Sequence, residues 1–596
     1  MFGRIKEFYG RHGRWLLAGT VFLLSFVLYA STAAHTFFTN DNPEFITAAA
    51  TAGIPHPSGY PLYVVATWLF AKLPLGSIAY RLNLFSALCA AASLAAGYFI
   101  LLRVARAIDR ERRLPDHVAA ALILPFAATG IFWFQAIVAK TYPLNLLLTL
   151  SAALLAVRFR EERRRRDLYL FALLAGLGIA NHPMFALTLP FLAVLLLVKN
   201  AWNKKRVALC LGLFVLGLAP YAYIPIRSAA HPLLDWAKVV DWSSFWKFIS
   251  RAQYNDLGVS AGVRDKFLFL AFFASGVWAQ FGLLVVLLPL GFIAAWKRAK
   301  LWCYVLSALL VSNVFAIIAL RNSGFNYANG AFNEPYFLPS YLAIYIFCAV
   351  GLWFMLRNFK KFAVPGTLIV CLLCAGAYLH KNFSANDLHG FVFLNNQSRE
   401  TLLSLPPNAV LIVYRGDASG DTNTFSIMYQ RYVNRLRPDV AIVGFPSAFP
   451  QIDNAAVLAA MAQKDMYARR GALYQYALKT YPNRPIYSTF PYFICTKEGA
   501  SCRASSVNGF VYGPPGASTA APAPFLSDRD RAVLEADVFG KQYLVDYYFI
   551  QAAFKLQNND LAAAKSAFDA AVRNITTPDD QQYLDFMQFK AVLGVK

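Results

Sequence analysis

Long apolar runs, most of them roughly 18 to 25 residues, recur from Trp15 to about His380 and then stop. A helix of that length rises about 30 Å, the thickness of a bilayer's hydrocarbon core. Runs near 15–34, 79–102, 117–136, 142–158, 168–181, 183–198, 207–226, 268–296, 301–320, 337–357 and 363–380 predict a membrane α-helical bundle of about eleven spans. A further apolar stretch, Tyr60 to Leu75, is interrupted by Pro61 and Pro74 and preceded by Pro55, Pro57 and Gly59. It predicts a re-entrant or interfacial segment, not a crossing. After Lys381 polar and apolar residues alternate as in a water-soluble domain. The chain therefore divides into a membrane domain, 1–380, an extracytoplasmic α/β domain, 381–526, and a helical tail, 527–596.

The net charge of +24 sharpens this reading through its placement. Lys and Arg crowd Arg4 to Arg14, Arg103 to Arg113, Arg158 to Arg166, Lys199 to Arg206, Lys297 to Lys300 and Arg357 to Lys361, all at ends of apolar runs. Such segments stay in the cytoplasm, so everything after Lys381 is expected outside it. Nucleic-acid binding is excluded on the same ground, since no basic face interleaved with aromatics stands elsewhere. The composition, 58% hydrophobic and 15% charged with a mean hydropathy of +0.44, exceeds what soluble cores need. The first run is long and lacks a small-residue cleavage site, so it reads as an uncleaved anchor. The expected location is a bacterial inner membrane, multi-pass, with site and C-terminal domain on the periplasmic side.

Six of the eight cysteines lie in apolar runs, where they act as small hydrophobes. Cys495 and Cys502 bracket a polar loop of the outer domain, and an oxidising compartment predicts a disulfide between them. Two thiols without a nearby Cys/His pair are too few for a metal.

The chemistry-bearing residues gather at the outer end of the bundle. Between the first two spans lies Thr39-Asn40-Asp41-Asn42-Pro43-Glu44-Phe45, then His56-Pro57-Ser58-Gly59-Tyr60-Pro61-Leu62-Tyr63. If Pro43 opens a helical turn, Asp41 and Glu44 share one face. One carboxylate could take a proton from an acceptor hydroxyl while its neighbour orients it. The same spacing also suits a plain helix cap followed by a dipole-stabilising Glu, and spacing alone favours that plainer role.

These strings, with Ala79-Tyr80-Arg81-Leu82-Asn83, Gly176-Leu177, Asn181-His182-Pro183, Tyr223-Ile224-Pro225-Ile226-Arg227-Ser228, Trp236, Arg251, Tyr254 and Glu334-Pro335-Tyr336-Phe337-Leu338-Pro339, follow one another along the membrane half. In that order they resemble the transmembrane O-mannosyltransferase family of the GT-C superfamily, bacterial relatives of the vertebrate enzymes that mannosylate plexin-type domains. The resemblance implies a GT-C bundle, a polyprenyl-phosphate sugar donor, an extracytoplasmic protein or glycan acceptor, and Asp41 as the base of an inverting transfer, with Glu44 positioning the base or acceptor. Many relatives place a Glu where this chain has Lys140. A cation there pairs with either the lipid phosphate or Asp41.

A lipid phosphate needs counter-charge. Arg227 and Arg321 stand beyond the ends of outward-going runs, where positive charge is disfavoured, and Arg bonds two phosphate oxygens at once. His56, Tyr60, Lys140, His182 and Glu334 complete the candidate substrate-binding set; the two histidines suit turn capping as well as ligand contact. No metal motif or cofactor is expected, since Asp41 and Glu44 alone make a poor cage; the lipid-linked sugar is a substrate.

In the outer domain Ala409 to Tyr414 and Val440 to Val443 read as buried strands around a helix, Phe425 to Arg437. Asp417 and Asp421 follow the first strand, either as turn residues or at a ligand edge. Tyr548 to Ala571 resembles a tetratricopeptide helix pair, packing on the α/β unit or binding acceptor peptide. Two rival functions stand beside sugar transfer: a lipid or saccharide flippase, and an inactive scaffold of the same fold. Transporters carry internal repeats and midplane charges; here no repeat is evident and the polar residues collect at one interface.

Overall fold

The structure, a computed structural model, describes residues 2–109, 113–252, 261–320, 324–413, 420–444, 457, 459, 466–489, 505–506, 511–513, 526–557 and 560–575. The apolar half forms α1 (Phe2–Thr32), α2 (Asn42–Thr51), α3 (Pro61–Phe70), α4 (Ile78–Ile108), α5 (Asp116–Ile123), α6 (Gly130–Ile137), α7 (Tyr142–Glu162), α8 (Arg165–Asn181), α9 (Phe185–Ala193), α10 (Lys204–Gly217), α11 (Tyr223–Ala229), α12 (Trp242–Ile249), α13 (Val263–Phe281), α14 (Leu288–Arg298), α15 (Lys300–Leu320), α16 (Tyr327–Asn333), α17 (Leu338–Leu356) and α18 (Ala363–Asn386).

Every predicted span has a helical counterpart, but not all are straight or long. Among the described residues seven helices are long and apolar enough to cross a membrane, or nine if each of two bent pairs is one span. The run predicted as 117–136 bends by 75° where α5, with a 3₁₀ turn, meets α6 at Thr129 and Gly130. The run 207–226 bends by 40° between α10 and the segment that includes α11. α8 has 17 residues and α9 has 9, below a full crossing. α3, at 10 residues, rises only about 15 Å and agrees with the non-crossing expectation for Tyr60 to Leu75.

α14 and α17 pack closely because Gly291 and Gly351 face each other's backbones: a Cβ at Gly291 would sit 1.8 Å from the Phe347 carbonyl oxygen. α18 continues beyond the expected boundary at 380 to Asn386, and the Leu388 N–H bonds the Thr32 carbonyl at 2.9 Å. The outer part follows with α19 (Phe393–Leu403), β1 (Val410–Ile412), α20 (Gly420–Tyr432), β2 (Ala441–Val443), α21 (Met466–Thr480), β3 (Ile486–Ser488), β4 (Ser505–Ser506), β5 (Tyr512–Gly513), α22 (Asp528–Ala536), α23 (Val538–Gln557) and α24 (Leu561–Asn574). The sheet order is β2-β1-β3-β5-β4, with β1 parallel to β2 and β3 and the other pairs antiparallel. This is the expected α/β unit. Cys495, Cys502 and Asp417 lie outside the described residues.

The tail does more than pack on that unit. α23 and α24 pack together around Ala552, Ala564 and Phe568, but α22 packs on α18 and α23 touches α16. α20 lies against α2. One apolar core, including Phe37, Phe391, Phe425 and Leu534, is continuous through both halves and fixes the C-terminal part against the loop between α1 and α2.

Candidate active site

Pro43 starts α2, as the sequence predicts, and Asp41 stands at its N-cap position without making a side-chain cap bond. Its carboxylate instead takes the Lys140 ammonium, Nζ to Oδ2 3.4 Å, with the two side chains only 9% and 13% exposed. Of the two partners open to Lys140, Asp41 stands beside it.

Two polar residues of the strings quoted above pin the turns around the site. Asn83 Nδ2 donates to the Ala34 carbonyl at 2.7 Å and its Oδ1 accepts from the Ala139 N–H at 2.7 Å, tying the Asp41 loop to the Lys140 loop. Arg81 donates to the carbonyls of Ala71, Leu75 and Gly76 and locks the turn between α3 and α4.

One turn into α2, Glu44 is fully buried. The chain folds back so that the His56 N–H bonds Glu44 Oε1 at 2.9 Å and His56 Nδ1 lies 2.5 Å from Oε2. The Tyr60 hydroxyl is 3.0 Å from His56 Nε2, the Arg251 guanidinium is within 3.5 Å of that hydroxyl, and the His182 ring stacks on Tyr60 at 5.4 Å. The return depends on Gly59, at φ +81°, where a Cβ would sit 2.9 Å from Phe248 Cε1. Tyr142 and Tyr336 close the aromatic ring around His182.

Burial lowers the pKa of His56, but the charges of Glu44 and Asp41 and the Glu44 hydrogen bond outweigh it, so the net shift is upward. Burial, reinforced by Arg251 and His56, pushes His182 down to about 3, so it is neutral and suited to contact without charge. Because the folded value of His56 is raised, its ion pair with Glu44 stabilises the fold fully below about pH 6.5 and fades as pH rises through that raised value. Glu44→Gln should therefore lower the melting temperature more at about pH 6 than at about pH 9. Thermal unfolding in detergent at both values checks this, and equal losses would contradict an ion pair.

Oxygen or nitrogen atoms of Asp41, Glu44 and His56 lie within 4.8 Å of one another, a ligand set larger than the two carboxylates considered from sequence. As arranged it fits a divalent ion poorly. Both Glu44 oxygens are engaged by His56, and an ammonium already stands beside Asp41.

Asp41 and Lys140 border a chamber of about 280 Å³ that also takes in Gln135, Glu334, Asn386 and Asp537. The structure thus brings together Asp41, Glu44, His56, Tyr60, Lys140, His182 and Glu334. Among the described residues no hydrogen bond or ion pair joins Arg227 to them. Arg227 Nε donates to the Ala52 carbonyl at 2.7 Å, at the opposite end of α2 from Asp41, a helix length of about 15 Å away. An Arg at a helix end reads alike whether it serves a ligand or a carbonyl. Arg321 lies outside the described residues. Sequence reasoning gave no role to Gln135 or Asp537 and placed Arg251 only among the residues of the resemblance; of the first two only Gln135, a polar residue inside an apolar run, carried a local signal.

The fold resembles that of solved membrane proteins. ArnT from Cupriavidus metallidurans superimposes with a TM-score of 0.52 in its apo state, covering 85% of this chain and 98% of that one at 12% identity. Its undecaprenyl-phosphate complex gives 0.50, covering 86% of this chain and 100% of that one, also at 12% identity. Residues 41–206, beginning at the candidate base, match the family model of the protein O-mannosyl-transferase TMEM260 N-terminal domain. Mouse protein O-mannosyl-transferase TMEM260 is 23% identical over 453 residues, covering 70% of this chain and 62% of the mouse protein. Its Dictyostelium discoideum counterpart is 22% identical over 477 residues, covering 71% and 56%. The chain thus spans about three fifths of the length of these curated relatives.

Proposed function

We propose that this chain is a membrane glycosyltransferase that moves a hexose, mannose or a close relative, from a polyprenyl-phosphate carrier to a hydroxyl of an extracytoplasmic protein. The observation that carries the reading is Asp41: a carboxylate at the edge of a chamber at the outer end of the bundle, not used as a helix cap, in the segment similar to the O-mannosyltransferases.

In the reaction Asp41 accepts the proton of the acceptor hydroxyl as its oxygen attacks the anomeric carbon. The bond from that carbon to the phosphate oxygen breaks, the lipid phosphate leaves with the electron pair, and a single displacement inverts the anomeric centre. Lys140 holds the Asp41 carboxylate in place. Glu44 keeps His56 charged, and His56 and Arg251 offer positive charge toward the departing phosphate. This assigns the phosphate to the His56–Arg251 side of the loop and leaves Arg227 a positioning part at the end of α2.

Deletion of the gene in its own host, followed by mass spectrometry of extracytoplasmic proteins and glycans, tests the reading: loss of hexose from defined protein hydroxyls is expected, and an unchanged profile would contradict it. The outer placement of Lys381 to Lys596 predicts that alkaline phosphatase fused after Phe393 is active. An inactive fusion paired with a fluorescent cytoplasmic reporter at the same point would reverse the topology.

A further inference from the structure

The four residues that lead into the candidate base are each held by the C-terminal part of the chain. The Phe37 ring meets Tyr429 of α20 at 4.8 Å, and the Phe38 ring meets Phe391, between α18 and α19, at 4.9 Å. The Thr39 hydroxyl donates to Asp537 Oδ2, at the joint of α22 and α23, at 2.7 Å. The Asn40 N–H donates to Thr422 Oγ1 of α20 at 3.0 Å, across 382 positions of sequence. Apolar contact is enough to attach the two parts to one another, and the shared core already does so. Polar bonds at two successive residues beside a carboxylate add little to that attachment and more to geometry, because a hydrogen bond fixes direction as well as distance.

The loop needs such a hold. Asn40 stands at φ +59°, in the left-handed region that a residue with a side chain keeps only where its surroundings impose it. Thr39, Asn40 and Thr422 are all buried, so water does not compete for the bonds.

Lys140 is held from elsewhere. The N–H groups of Ala139 and Lys140 bond Asn83 Oδ1 at 2.7 Å and Ser86 Oγ at 3.3 Å, both on α4. Asn42, just after the base, reaches the same Asn83 at 3.4 Å, a longer bond. The ammonium is thus anchored to the helical bundle and the backbone before the carboxylate to the C-terminal part, so the separation of the two charges depends on how the parts are joined. A general base must stand within about 2.6–3.2 Å of the atom whose proton it takes. Misplacement by about 1 Å can cost roughly 100-fold in rate.

We infer that Thr422 and Asp537 are positioning residues for the transfer: through Asn40 and Thr39, the C-terminal part sets the backbone from which Asp41 meets Lys140 and the acceptor. The inference rests on the base assignment above and goes beyond it, since it gives the C-terminal part a share in the rate. Thr422 carries the cleaner test because it does not border the chamber, so its effect on Asp41 must pass through the loop.

Two quantities are measured on the purified full-length protein. One is the pair kcat and donor KM for transfer from polyprenyl-phosphate-mannose to an acceptor protein. The other is the Asp41–Lys140 coupling, from denaturant unfolding of Asp41→Asn, Lys140→Met and the double variant. Thr422→Val keeps the branched shape of the side chain and removes the acceptor. It should lower kcat roughly tenfold or more with donor KM unchanged, and at least halve the coupling when the cycle is repeated in its background. Thr422→Ser, which restores the hydroxyl, should restore both. Thr424→Val, on the same helix, removes a buried hydroxyl that has no hydrogen-bond partner among the described residues, and should change neither. A Thr422 hydroxyl that only supported the fold would move the melting temperature and leave the coupling alone. If Thr422→Val does not fold, Thr39→Val, with Thr39→Ser as its rescue, puts the same question at the Asp537 bond. Full coupling in the valine variant, whatever its rate, or no coupling in the unaltered protein, would overturn the inference. If the unaltered protein transfers no sugar, the base assignment falls, and the coupling alone decides whether the C-terminal part positions the carboxylate.

Discussion

Asp41→Asn is expected to lower turnover roughly 100-fold or more while donor binding survives. The amide keeps the size of the carboxylate and can still accept a hydrogen bond, but it cannot take the acceptor's proton. The change falls on a side chain that makes no cap bond to α2, so the helix loses only the carboxylate's favourable charge at its N-terminus. It does remove the counter-charge of Lys140, 3.4 Å away, so protein level and folding must be measured beside the rate. Radiolabelled sugar transfer by the purified variant is the check. Near-normal transfer with intact folding would remove Asp41 from the mechanism.

The second large effect is expected at Lys140. Removing one member of a largely buried ion pair strands the other, and the cost runs to about 3–5 kcal/mol when burial is complete. At 9% and 13% side-chain exposure, solvent softens this, and Lys140→Met should destabilise by about 2–3 kcal/mol. The double variant Asp41→Asn with Lys140→Met should recover much of that loss, because neither group is left charged and alone. Activity should not recover with it. Denaturant unfolding of both single variants and the double variant gives the coupling; purely additive losses would mean the pair carries no net interaction. The pairing also bears on the scaffold alternative. A cation at position 140 leaves the Asp41 carboxylate in place and supplies it with a partner.

The apolar periodicity carried the helical bundle, the short α3 and the β-strands of the C-terminal part, since run length and interrupting prolines act locally. Bends did not follow from it. The run through Leu124 to Ile137 is apolar on both sides of Thr129 and Gly130, and periodicity cannot separate one straight helix from two crossing at 75°. At the site, the turn of Asp41 and Glu44 was readable from Pro43, because three-residue spacing and a proline set a helix start. The partners were not. Glu44 meets His56 only because Gly59 allows the chain to double back, and Thr39 meets Asp537 across 498 positions. Such contacts follow from tertiary packing, where a charged residue in a turn looks the same whether it faces water or a chamber. Arg227 was not readable for the converse reason: its position beyond a helix end suits a phosphate, and the structure adds a bond from its Nε to the Ala52 carbonyl at the end of α2.

The measurement that bears most directly on the central claim is a single reaction with the purified protein, polyprenyl-phosphate-[¹⁴C]mannose and an extracytoplasmic acceptor protein. Release of polyprenyl phosphate should match labelled acceptor one for one, with the sugar's anomeric configuration inverted in the product. Movement of the intact labelled lipid between vesicle leaflets, with no labelled acceptor formed, would contradict the account and favour a flippase.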